Sequence, residues 1–140
     1  MHGVNFTGAT LAGTNFSNSE LFGATLANVR ASGANFASAE VTASNLSGGD
    51  FSNADFSNAS LDGARLTGGS FSRADFSNAS LRRTDIRGAD LSGARGLTQD
   101  QISEACGDGS TRLPGRLSPQ ACRSSSCLLY TSPSPRDRQK

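Results

Sequence analysis

The chain has no tryptophan, and among its 140 residues only one methionine, one tyrosine, one histidine and one lysine. The histidine and lysine are His2 and Lys140, at opposite ends, so the residues most used for general acid–base work have no neighbours to work with. His2 reads as a solvated terminal residue. Cysteine is absent before Cys106, and three thiols in all exclude a disulfide scaffold. Cys106 and Cys122 have no histidine near them and make a poor metal set. Cys106 reads as a small buried residue on a capping helix, with its relation to Cys122 left open. Charge of one sign is also lacking: 13 basic groups against 12 acidic give +1, which excludes a strongly basic nucleic-acid binder and a strongly acidic mimic. No apolar run approaches the roughly 20 residues of a membrane span, and no basic-then-apolar leader opens the chain. A cytoplasmic location is the expectation.

Proline is missing until Pro114, and all eight phenylalanines lie before residue 97. That stretch is one repeat. Large apolar residues stand at Phe6, Leu11, Phe16, Leu21, Leu26, Phe36, Val41, Leu46, Phe51, Phe56, Leu61, Leu66, Phe71, Phe76, Leu81, Ile86 and Leu91, with Ala31 filling the one remaining slot. Eighteen periods of five run without insertion or deletion. Two residues before most centres is a small side chain, as at Ala34, Ala54 and Ala74. Between the two comes a polar one, and after the centre come Ser or Thr and then often Gly or Asn.

A period of five suits neither standard element. On a helix the centres would scatter around the whole cylinder, and on a straight strand they would alternate faces. A chain that turns a corner every five residues aims every centre at one axis, with Gly and Asn supplying left-handed corners. Four corners close a lap of 20. The sequence carries that lap: residues 48–61 and 68–81 match at 12 of 14 positions. Sorted by twenty, Phe16, Phe36, Phe56 and Phe76 form one column, and Leu21, Val41, Leu61 and Leu81 another. Laps piled at roughly 4.8 Å give a rod of roughly 22 Å.

The grammar of Ala34-Asn35-Phe36, Ala54-Asp55-Phe56, Ala74-Asp75-Phe76 and Ala89-Asp90-Leu91 resembles the pentapeptide repeat proteins, over residues 4–95. The resemblance implies an all-β fold, a right-handed quadrilateral β-helix of about 4.5 coils over residues 4–96. The centre, and the residue two before it, would face inward. Leucine-rich and collagen repeats do not fit this spacing.

Residues 97–113 are expected to cap the last coil. Thr98 is placed as N-cap, with Gln101 as its capping-box partner. Leu97 and Ile102 form a hydrophobic staple, and Gly107 suits the far end of a short helix over about 99–106. The N-terminal end shows no matching cap. The true start is expected upstream, or else that end pairs with a second copy. Residues 114–126 read as an irregular tail. The run Cys127 to Asp137 resembles eleven codons of a translated sequencing adapter, so 127–140 are expected to be non-native.

No catalytic, cofactor or metal constellation emerges. Asp55 and Asp75, one lap apart, could act as paired carboxylates, but they occupy a repeat position and read as a solvated ladder. Ser57, Ser77, Asn58 and Asn78 read as satisfying local backbone groups. Arg73, Arg82, Arg83, Arg87 and Arg95 gather toward one end, leaving residues 62–95 at +2 against −3 for 1–61. The expected function is a non-enzymatic scaffold or protein-interaction module with a protein partner and no direct nucleic-acid or membrane binding. Some members of the resembled family mimic DNA against gyrase, but residues 1–96 carry a net −1, far from one charge per roughly 1.7 Å. An ice-binding face would need an outward threonine array, whereas Thr7, Thr10, Thr25, Thr42 and Thr67 fall in different columns.

Overall fold

The structure is a computed structural model that describes residues 3–122. His2, Lys140, the adapter-like run and the last residues of the expected tail lie outside the described residues.

Residue n pairs in parallel with residue n+20 at every fifth position, from Asn5↔Thr25 to Asp75↔Arg95. The contacts are single-residue bridges because the chain bends before a longer strand can form. Each bridging residue uses its backbone twice. The Asn45 N–H donates to the Ala24 carbonyl, 2.9 Å away, and the Asn45 carbonyl accepts from Leu26 at 2.6 Å. These groups point along the rod, so side chains are left to point into it or out of it.

The corners explain the rest of the five-residue unit. The N–H three residues after a centre donates back to the centre's carbonyl, as Ala39 does to Phe36 at 3.0 Å. The residue two after the centre has positive φ at every corner before the last, Gly93, as at Gly33 (72°), Asn58 (60°), Ala43 (58°) and Arg73 (60°). That is a type II turn, whose third residue favours Gly or Asn. Ala, Ser and Arg at this place each cost roughly 1–2 kcal/mol.

The inward side chains stack by kind. Phe16, Phe36, Phe56 and Phe76 lie face to face with centroids 5.1, 5.0 and 5.3 Å apart. Phe51 and Phe71 make a second stack at 5.2 Å, whose rings are steeply inclined to the first, as between Phe36 and Phe51 at 62°. The centres from Phe16 onward are buried. Phe6 and Leu11, expected in the core, are only half-buried because they belong to the first coil, although Phe6 still meets Phe16 edge-on at 5.8 Å. Buried Ser44 and Thr84 replace Ala two before a centre; their hydroxyls donate to the carbonyls of Leu21 and Leu61, at 2.5 and 2.7 Å.

One column trades volume between its two inward positions. Val29 precedes Ala31, Gly49 precedes Phe51, Gly69 precedes Phe71, and Ala89 precedes Leu91. All eight are buried. A Cβ on Gly49 would overlap Cε2 of Phe51, and one on Gly69 would lie 2.8 Å from Cε2 of Phe71. In this column, a phenylalanine ring at the centre therefore leaves room only for glycine before it.

At the far end the capping box forms as expected. Thr98 caps the helix α1, Gln99–Glu104, with Thr98 N–H donating to Gln101 Oε1 at 2.7 Å and Gln101 N–H to Thr98 Oγ1 at 3.3 Å. Ile102 is buried and Leu97 packs against the core. Gln101 Nε2 also donates to the carbonyls of Phe76 and Ala79, at 2.9 and 3.0 Å, and the Ala79 carbonyl is one that a further coil would have bonded. The helix is shorter than expected. It stops at Glu104 because Ala105 is extended, and the chain then rejoins the stack through Cys106↔Asp85 and Arg112↔Asp90. Gly107 is therefore not a helix terminator. It is buried where a Cβ would meet Thr111, Pro119 and Ile86. A further layer follows in the stretch read as irregular, with Ala121 bridging Gly107.

Candidate interaction face

The four faces of the rod differ in how their outward side chains are held. On three of them an Asn or Asp sits just before some or all of the centres and accepts, through Oδ1, the N–H and often the hydroxyl of the residue two further on. Asn15 and Ser17, Asn45 and Ser47, Asp50 and Ser52, and Asp90 and Ser92 all make this closed pair. Asp55 and Asp75 do the same with Ser57 and Ser77, whose hydroxyls donate at 2.6 Å. The two carboxylates thus brace separate corners. Asn58 and Asn78 occupy left-handed corners.

At Asp75, Asp85, Asp90 and Asp108 such bonds favour the ionised carboxylate. The Ser77 hydroxyl and then its N–H, followed by the charge of Arg95, hold Asp75 below the usual carboxylate range against some burial. Ser92 does so for Asp90, and Ser110 for Asp108. Burial pushes Asp85 upward, but the side-chain and backbone hydrogen bonds of Arg87, with the charges of Arg87 and Arg65, prevail and lower it. Arg87 Nη2 lies 2.6 Å from Asp85 Oδ2.

The fourth face is different. Its outward positions, one lap apart, run Glu20, Glu40, Ser60, Ser80, and beside them Phe22, Thr42, Asp62, Arg82. No Asn or Asp precedes its centres, so the bonds run between laps. Thr42 Oγ1 lies 3.3 Å from Ser60 Oγ, Ser80 donates to Asp62, and the Arg82 N–H reaches Asp62 Oδ1 at 3.3 Å. A cleft of about 380 Å³ opens here, lined by Thr42, Ala43, Asp62, Gly63, Arg82 and Arg83. Both arginines are exposed, and Arg82 Nε stands 3.8 Å from Glu104. Phe22 is 37% exposed, the exposed large hydrophobic side chain among the described residues. Of the other arginines singled out in sequence, Arg73 occupies a left-handed corner and Arg95 pairs by backbone with Asp75.

Sequence reasoning missed the cysteines. Cys106 lies beyond the helix, half-buried, and is joined to Cys122 in a disulfide. Asp85 Oδ1 is 3.8 Å from Cys122 Sγ, so these three residues form a donor cluster, but both sulfurs are bonded to each other. Spacing alone could not show that the chain returns after the helix to lay residue 106 beside residue 122.

A parallel stack of twenty-residue laps with type II corners and paired inward positions defines a four-sided β-solenoid. Residues 1–37, 34–73 and 59–95 match the family model for pentapeptide repeats, in eight copies. The chain belongs to the pentapeptide repeat family. Its fold is similar to that of Rfr23, a pentapeptide repeat protein from the cyanobacterium Cyanothece 51142: 23% identity, 80% of this chain and 89% of that one, TM-score 0.69. More distant likenesses are a pentapeptide repeat protein of the Arabidopsis thaliana thylakoid lumen (29% identity, 72% and 70% covered, TM-score 0.45) and QnrB1, a plasmid-mediated fluoroquinolone resistance protein (21%, 77% and 81%, TM-score 0.32). Comparison with curated proteins finds no match.

Proposed function

We propose that the chain is a non-enzymatic interaction module whose partner is a protein, bound along the fourth face. The observation that carries this reading is the arrangement on that face: an exposed Phe22 in the same lap as Glu20, and, further along, a cleft lined by Arg82 and Arg83. A face that carries an exposed aromatic and charges of both signs along its length suits a protein surface, where aromatic and arginine anchors carry much of the binding energy. A rod cross-linked by backbone bonds holds these groups at fixed spacing before a partner arrives, which lowers the ordering cost of binding.

The gyrase reading lacks its electrostatic basis, since the repeat residues 1–96 carry a net −1. The test begins with affinity capture on the immobilised full chain, followed by titration of the purified captured protein. Arg82→Glu with Arg83→Glu, and separately Phe22→Ser, are each expected to weaken binding at least about tenfold while leaving the circular dichroism unchanged. Binding unaffected by both variants refutes this face. Inhibition of gyrase supercoiling at micromolar protein would favour DNA mimicry instead.

A further inference from the structure

We propose that the Cys106–Cys122 disulfide is a redox latch on the outermost layer of the C-terminal end, one that opens without unwinding the coil beneath. The proposal is independent of the partner-binding face.

The two segments joined by the disulfide are held very differently. Residues 105–113 are part of the stack. The Cys106 N–H donates to the Thr84 carbonyl at 2.9 Å, and its own carbonyl accepts from Ile86 at 2.8 Å. The Arg112 N–H donates to Ala89 at 3.0 Å, and the Arg112 carbonyl accepts from Leu91 at 2.7 Å. Buried Ile102 and Ala105 fix the entry to this segment. Nothing in that set needs the sulfurs.

Residues 114–122 have no buried side chain. Leu117 is partly covered. The layer is held to the rest by the Gly107 N–H on the Gln120 carbonyl at 2.7 Å and by the Gln99 amide, which donates to Ser118 O at 3.1 Å and accepts from Ser118 N–H at 3.2 Å. Three hydrogen bonds, two of them exposed, must order nine residues, and the conformational entropy of those residues opposes them. The covalent bond between Cys106 and Cys122 therefore decides whether the layer stays down.

Both cysteines are half-buried, so a small thiol can reach them. The reductant is a thiol of the glutathione class. Its thiolate attacks one sulfur, the other leaves as a thiolate and takes a proton, and a second thiol resolves the mixed disulfide. Two electrons pass, two protein thiols form, and one small-molecule disulfide is released. The layer then lifts, and the Gly107 N–H it covered becomes an open edge of the kind that accepts another strand. A reducing compartment would hold the end open, and an oxidising one would hold it closed.

The test uses the full chain. Thiol titration of the denatured, unreduced protein is expected to give one free thiol of three, and three after reduction. Amide exchange is then followed by NMR. Reduction is expected to speed exchange at Gly107 and Ser118 at least about tenfold, leaving Cys106 and Arg112 slow, as befits local opening. Cys122→Ser without reductant should reproduce the reduced pattern. Three free thiols before reduction would overturn the proposal, as would unchanged protection at Gly107. Loss of protection at Cys106 and Arg112 together with Gly107 would overturn it too, by showing that the whole end unravels.

Discussion

Gly49 and Phe51 share one volume, and Gly49→Ala measures how tightly. Gly49 lacks the positive φ of the corner residues, so alanine meets no backbone strain there and by itself would stabilise by about 0.4–1 kcal/mol through the unfolded chain. Against this, its Cβ would overlap the Phe51 ring, which is wedged between Phe71 at 5.2 Å and Phe56 at 5.8 Å and has little room to retreat. Overpacking of that kind costs about 1–3 kcal/mol. The net expectation is a loss of about 1–2 kcal/mol, or a fall in Tm of roughly 4–16 °C for a domain of this size. Phe51→Leu alone also destabilises, by about 1–3 kcal/mol, through lost ring contacts and a cavity. The double variant recreates the Ala89–Leu91 pairing found elsewhere in the column and should recover at least about 1 kcal/mol relative to the sum. Urea denaturation followed by circular dichroism gives all four values. Strict additivity would refute the shared-volume argument.

The stacked corners at Ala43 and Gly63 make a second comparison. Ala43→Gly should raise stability by about 0.5–1 kcal/mol by removing left-handed strain at φ 58°, whereas Gly63→Ala should lower it by about 0.5–1 kcal/mol although only ordinary contacts await the Cβ. Equal signs in thermal melts would contradict the corner assignment. Thr98→Ala should cost about 1 kcal/mol and increase amide exchange across Gln99–Glu104 without loosening the coils. The carboxylates predict a pH dependence. Asp75, Asp85 and Asp90 are held below their unfolded value of about 4, so their stabilisation is full above that pH and is lost as acid carries the solution down through the lowered values. Tm should stay level toward neutral pH and fall below about pH 4, and a rise on acidification would contradict the serine-bonded corners.

How much of this was legible follows from what repeats. Eighteen centres at one spacing leave only a coil with corners, and the identity of laps at 48–61 and 68–81 sets its circumference. The capping box was readable because Thr98 and Gln101 are local partners. Legibility ends where geometry depends on contacts the period does not encode. The exchange of bulk between Val29 and Ala31, or Gly49 and Phe51, looks like irregularity in the repeat until both positions are seen to enter one space. Gly107 resembled a helix terminator, and only the return of the chain onto Thr84–Ile86 shows that it is needed for close packing. The same return brings Cys106 to Cys122. The fourth face stands apart because no Asn or Asp precedes its centres to close a local pair, and its bonds between laps are displayed by no single five-residue unit.

The lap of twenty underlies all of these assignments, and ring-to-ring nuclear Overhauser contacts in selectively labelled phenylalanine test it most directly. Phe36 is expected to show contacts with both Phe16 and Phe56, whose centroids lie 5.1 and 5.0 Å away, and with Phe51 at 6.1 Å. A Phe36 ring in contact with neither Phe16 nor Phe56 would contradict the coil.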